Sequence, residues 1–222
     1  MSTRSDDAPR PRPRSTTQTR AERTILVYGA TGTLGGLVAR ALGERGAGVV
    51  IAGRDADRVG ALGRELGCPS RVAAEDDRAA LAAAVAGARV VVDCAGPFAG
   101  RSTALVEAAI AAGAAYLDVA SEPAFLREVY ERCESAARKA GVACVSGAGV
   151  APALGDLAAA WAAAAAIGED DDEGVVRTAL PARLAEGAPL DEIAITWVLD
   201  GVAAAPGAQR AGIAMLTHGG AV

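Results

Sequence analysis

The sequence predicts an α/β fold, a doubly wound parallel sheet followed by a short, incomplete α+β unit. Three observations carry this reading. From Thr24 onward, short apolar runs alternate with segments of helical period, the rhythm of successive βα units. Those runs are apolar on both faces, as strands must be when helices cover a parallel sheet on either side. Hydrophobic residues make up 51% of the 222, yet aromatic residues only 3%, so the core must be built from Ala, Val and Leu. That composition suits closely packed helix-on-sheet layers better than a β-sandwich.

Residues 1–23 are rich in Arg, Pro, Ser and Thr without periodicity, and Pro9, Pro11 and Pro13 oppose a regular helix, so a disordered leader is expected there. Six strands are then expected, over 24–28, 48–52, 71–74, 89–94, 116–119 and 142–146. Between the first two, Leu34, Leu37, Val38, Ala41 and Leu42 lie on one helical stripe, and Val59, Leu62 and Leu66 mark a second. Gly46, Gly67, Gly113 and Gly141 stand where helices should stop. Beyond them come an Ala-rich helix to Ile167 and an acidic run from Glu169 to Glu173, expected as a solvated loop. Ile193, Ile195, Trp197 and Leu199 then alternate with period two, the signal of a half-buried strand. The expected organisation is a leader over 1–23, a main α/β domain over 24–157, and a partial substrate or dimerisation unit over 158–222.

Charge and cysteine usage exclude several function classes. The net charge is −5, and the leader alone carries six Arg against three acidic residues, so the remainder is strongly acidic. Phosphate neutralisation needs Lys and Arg clustered on the fold, so a nucleic-acid partner is not expected. Cys68, Cys94, Cys133 and Cys144 form no CxxC, and His218 is the sole histidine, so neither a metal site nor a disulfide framework is expected. Reduced thiols point to the cytoplasm. No signal peptide or membrane span is expected, because the leader lacks an apolar core and the longest apolar stretches are short and mostly Ala.

The chemistry lies in Ile25-Leu-Val-Tyr-Gly-Ala-Thr-Gly-Thr-Leu-Gly35, which sets Gly29, Gly32 and Gly35 three residues apart between a strand and a helix. A backbone there must turn sharply, approach a pyrophosphate with no Cβ in the way, and aim helical N–H groups at the phosphates. This is the fingerprint of a Rossmann-type dinucleotide domain. A Val at Gly32 is expected to fill the pyrophosphate space and to resist a positive φ. The second strand ends in Ala52-Gly53-Arg54-Asp55, where an acidic residue would bond the ribose of NAD. Arg54 at that end favours a 2′-phosphate, hence NADP(H), while Asp55 reads either as a helix N-cap or as a ribose ligand. The fourth strand runs into Asp93-Cys94-Ala95-Gly96-Pro97-Phe98, whose small residues let the backbone lie against a cofactor. Cys94 reads as a small buried hydrophobe, since nothing adjacent in sequence would activate its thiol.

These pieces resemble the NADP-binding domain of the saccharopine dehydrogenase-like family, which includes trans-acting enoyl reductases. The resemblance rests on Gly-Ala-Thr-Gly at 29–32, Ala-Gly-Arg at 52–54, Cys-Ala-Gly-Pro-Phe at 94–98, Val-Glu-Ala-Ala-Ile-Ala-Ala-Gly at 106–113, Tyr-Leu-Asp-Val at 116–119 and Gly-Ala-Gly-Val-Ala-Pro-Ala-Leu-Gly-Asp-Leu at 147–157. The first piece is common to many Rossmann proteins; the Cys-Ala-Gly-Pro-Phe and Tyr-Leu-Asp blocks are much more specific. It implies that Gly29, Thr31, Gly32, Thr33 and Leu34 line the pyrophosphate, Arg54 the adenosine ribose phosphate, and Cys94, Ala95, Gly96 and Pro97 the nicotinamide-side ribose. It also implies that Tyr116, Asp118 and Glu122 face the cleft, with Asp118 handling a proton or orienting substrate; a strand-end Asp bonding backbone amides is the competing reading. The implied activity is NADP(H)-dependent reduction of a small imine, carbonyl or enoyl substrate by a homodimer. Only a short segment remains where the family carries a sizeable substrate domain.

Two other functions stay open on the residues. An atypical short-chain dehydrogenase would place a Tyr four residues before a Lys on one helix face, but the sole lysine, Lys139, has Ser135 there. A Walker A loop is excluded because Arg138 precedes that lysine. The third reading is a non-catalytic NADP(H)-binding sensor that keeps the Rossmann half alone.

Overall fold

A computed structural model describes residues 24–166, with side chains as far as Trp161. The leader, the acidic run and the period-two segment around Trp197 lie outside the described residues.

Six parallel strands and six helices alternate along the described chain: β1 (Thr24–Tyr28), α1 (Thr33–Glu44), β2 (Gly48–Gly53), α2 (Ala56–Leu66), β3 (Ser70–Val72), α3 (Arg78–Val85), β4 (Val90–Asp93), α4 (Ala104–Ala111), β5 (Ala115–Asp118), α5 (Pro123–Ala140), β6 (Cys144–Val145) and α6 (Val150–Ala166). The sheet order is β3-β2-β1-β4-β5-β6, the doubly wound arrangement of dinucleotide-binding domains. In β1, Leu26 and Tyr28 pack on one face with the buried side chains of α3, α4 and α5, while Val27 packs on the other with α1 and α2. Period-two alternation therefore feeds two cores, and the run reads as uniformly apolar.

Local signals set the helix ends. The carboxylates of Asp55 and Asp77 accept the Arg58 and Ala80 amides at 3.0 and 2.9 Å and so start α2 and α3. Gly46, Gly67, Gly113 and Gly141, with φ between 62° and 76°, follow the last turns of α1, α2, α4 and α5.

The elements differ from the sequence expectation in three places. Helix α3 had no apolar stripe to announce it, because Ala supplies five of its eight residues; Gly87, at φ 72°, follows its C-cap. Strands β3, β4 and β6 are shorter than expected, most of all β6, which lies at the sheet edge and pairs on one side only. Helix α6 begins at Val150, so the expected boundary after Leu157 falls inside one helix, and Pro152 sits in the first turn, where its missing N–H breaks no helical bond.

Candidate functional site

Strand β1 pairs with β2 on one side and β4 on the other, so the chain leaves the sheet centre in opposite directions at the loops after β1 and β4, the switch point at which sheets of this kind offer a ligand crevice. Gly29 opens the first loop at φ 73°, the left-handed region that other residues avoid. A Cβ on it would stand 2.7 Å from the N, Cα and Cβ of Ala95, so the two loops touch there, backbone to backbone. A Cβ on Gly35 would overlap the Gly29 carbonyl oxygen and lie 2.8 Å from Ala30 Cα. These two glycines are demanded by the fold itself.

Gly32 differs. It is extended at φ −82°, so the left-handed demand expected of it falls on Gly29 instead, and a Cβ there would meet only the Gly29 oxygen, at 3.3 Å. Gly32 is the N-cap of α1, with no side-chain cap and no acidic residue in the first turn, and Gly32, Thr33 and Leu34 are exposed. A helix N-terminus with uncapped N–H groups and a bare backbone before it is a fitting seat for a pyrophosphate. Thr31 sits half-buried beside it.

At the end of β2, Arg54 is exposed. Asp55, the alternative ribose ligand, is engaged as the cap of α2. The sequence reading missed Arg58, whose Nη2 donates to the Thr31 carbonyl at 2.8 Å and ties α2 to the glycine loop. Its signal was a basic residue in the first turn of a helix, where the dipole disfavours positive charge.

Across the crevice, Cys94 is buried; burial, then the neighbouring Asp93 charge, pushes its thiol up to about 12. Ala95 and Pro97 are half-buried and Gly96 is exposed. Asp93, at 1% exposure, accepts the Ala95 amide at 2.9 Å and the Tyr116 hydroxyl at 3.2 Å, and burial raises its carboxyl above the usual range. Burial, reinforced by Asp93, likewise pushes the Tyr116 phenol far up.

Tyr116, Asp118 and Glu122, expected to face the cleft, are each at most 3% exposed. The Asp118 carboxylate accepts the Ala120 and Gly147 amides, both at 2.9 Å, and the Ser146 hydroxyl at 2.5 Å, joining the turns after β5 and β6. Glu122 accepts the Phe98 amide at 2.8 Å and the Ser121 amide at 2.9 Å, anchoring the loop after Pro97. A buried carboxylate at a strand end satisfies itself with backbone donors, the arrangement a linear sequence cannot distinguish from a site acid.

Comparison with known proteins agrees with this fold. The family model described as Saccharopine dehydrogenase NADP binding domain matches residues 25–145. Two Mycobacterium tuberculosis proteins, named "Putative trans-acting enoyl reductase" Rv2449c (strain H37Rv) and MT2525 (strain CDC 1551), are each 35% identical over 148 residues, 64% of this chain and 35% of theirs. The chain thus spans about a third of the length of these curated relatives. Saccharopine dehydrogenase (L-Glu forming) from Saccharomyces cerevisiae shares the fold at a TM-score of 0.50 and 22% identity, over 62% of this chain and 30% of that one.

Proposed function

Because the chain belongs to the saccharopine dehydrogenase NADP binding domain family, we propose that it is the NADP(H)-binding part of an oxidoreductase that reduces an imine, carbonyl or enoyl group of a small molecule. The observation that carries this reading is the crevice itself. Gly29 and Ala95 bring two strand ends into backbone contact beside an uncapped helix N-terminus, leaving an exposed Gly32-Thr33-Leu34 rim.

In this reading the N–H groups at the start of α1 hold the pyrophosphate, Arg54 the 2′-phosphate, and the Cys94-Ala95-Gly96-Pro97 backbone the nicotinamide ribose. Bound NADPH supplies a hydride. The chain's residues orient that cofactor and exclude water on the buried side of the crevice, where Ala, Cys and Phe side chains surround the loop. Asp118 acts as a strut holding two loops together, accepting the Ala120 and Gly147 amides and the Ser146 hydroxyl.

Homodimer formation through the segment beyond Val175 belongs to the same proposal: an apolar period-two face with Trp197 at its centre needs cover. Light scattering at micromolar protein should show a dimer that Trp197→Asp weakens; a monomer with Trp197 shielded from a quencher would remove this part. The free Cys68, Cys94, Cys133 and Cys144 fit a reducing, cytoplasmic setting.

Steady NADPH oxidation on adding representative imines, aldehydes, ketones or activated alkenes tests the enzymatic reading. NADPH binding without turnover of any of them, coupled to altered association with another protein, would establish a sensor instead.

A further inference from the structure

Arg101 is a charged side chain with only 9% exposure, in the loop between β4 and α4. Burying a guanidinium is costly unless every face of it is matched. Here its Nη1 donates to the Ala95 carbonyl at 2.8 Å and pairs with Asp93 Oδ2 at 3.1 Å. Its Nε stands 2.9 Å from Glu75 Oε2, in the loop after β3, as an ion pair without hydrogen-bond geometry, and Glu75 Oε1 is buried without a hydrogen-bond partner; the guanidinium carbon lies 4.9 Å from the centroid of the Phe98 ring. Burial alone would pull this guanidinium down, but Asp93 and Glu75 more than offset it, so the group stays charged.

One side chain therefore joins the loops after β3 and β4 and, within its own loop, grips the Ala95 backbone. The atom it grips matters most. Ala95 is the residue whose N, Cα and Cβ pack against Gly29, so a bond that holds its carbonyl also holds the contact between the two loops. Asp93 holds the same residue through the Ala95 amide, in the preceding peptide group, and is itself held by Arg101 and Tyr116. The contacts run Glu75, Arg101, Ala95, Gly29, from the loop after β3 to the glycine loop, and none needs a ligand to form.

We infer that Arg101 is a positioning residue that fixes the Ala95-Gly96-Pro97 wall in the geometry the nicotinamide half of NADP(H) requires, without contributing to recognition of the adenosine half. The inference rests on the reading of this crevice as the dinucleotide site. A guanidinium is suited to the task because its planar fork reaches the Ala95 carbonyl and both carboxylates at once; an ammonium is a single point.

The two halves of the cofactor separate this role from general destabilisation and from failure of the site assignment. Adenosine 2′,5′-bisphosphate probes the Arg54 side alone, and NADPH probes both sides, its nicotinamide fluorescence reporting on the second. Arg101→Gln should weaken NADPH by about 10-fold or more, the loss of one charge-assisted bond. It should also abolish the fluorescence change on binding while leaving the bisphosphate affinity within about 2-fold, the scale of an interaction left untouched. Arg101→Lys should fall between the two. Equal weakening of both ligands, weakening of the bisphosphate alone, or unchanged NADPH binding would each overturn the inference. If wild-type protein binds neither ligand, it is the site assignment that fails. Should Arg101→Gln not fold, Glu75→Gln removes one partner from a half-exposed position, and the same selective loss of NADPH, smaller in size, decides the matter.

Discussion

Substituting two glycines of one loop separates what the fold needs from what the cofactor needs. Gly29→Ala places a Cβ in a left-handed conformation at φ 73°, which costs about 1–2 kcal/mol. It also sets that Cβ 2.7 Å from three atoms of Ala95, two of them backbone, so a loop must shift. Overpacking of this kind adds about 1–3 kcal/mol. The variant should therefore lose about 2–5 kcal/mol of stability and bind NADPH poorly as a consequence. Gly32→Ala meets neither obstacle: the backbone is extended and the single neighbour within reach is the Gly29 oxygen at 3.3 Å. Its stability should stay within about 0.5 kcal/mol of wild type, as for an ordinary surface change. Cofactor affinity should nevertheless fall, and Gly32→Val should abolish it, because the side chain occupies the space over the α1 N-terminus that a pyrophosphate would fill. Urea unfolding followed by circular dichroism gives the first quantity and fluorescence titration with NADPH the second. A Gly29→Ala protein as stable as wild type would refute the packing argument, and a Gly32→Val protein that binds NADPH normally would refute the pyrophosphate assignment.

Arg54→Ala should erase a preference for NADPH over NADH worth about 1.5–3 kcal/mol, the range for a hydrogen bond to a charged group; calorimetry with both cofactors measures it, and Arg58→Ala should give a smaller change in the same direction. Asp118→Ala should destabilise the domain by about 2–5 kcal/mol, because two buried amides and a hydroxyl lose their acceptor; thermal unfolding tests this, and an unchanged Tm would show that the carboxylate is no strut. Cys94 should resist alkylation at pH 8 in the native protein: with its thiol pushed up to about 12 by burial, the thiolate fraction is on the order of 10⁻⁴. Reactivity should rise only as pH approaches that value or the domain unfolds, and mass spectrometry after iodoacetamide treatment distinguishes native from denatured labelling.

The alternation of apolar strands with helical stripes, the glycines at 29, 32 and 35, and the helix-stopping glycines were legible in the sequence because each acts through its neighbours along the chain. Backbone φ, capping and period depend on a few adjacent residues, and so does the choice between a parallel and an antiparallel sheet when both strand faces are apolar. Arg54 was legible for the same reason, as the residue at a strand end. What tertiary structure decided were pairings between residues far apart in sequence. Which glycine bears the left-handed turn depends on where Ala95 lies, 66 positions from Gly29. Asp118 reads from sequence either as a proton-handling acid or as a strand-end acceptor of backbone amides, and only the fold brings up the Gly147 amide that it accepts, as it brings the Phe98 amide to Glu122. Arg101 belongs to no sequence motif, and only the fold closes Asp93 and Glu75 on it. A carboxylate or a guanidinium carries the same formula in water and in a core, and only the groups that replace its water determine whether it reacts, recognises or holds the chain in place.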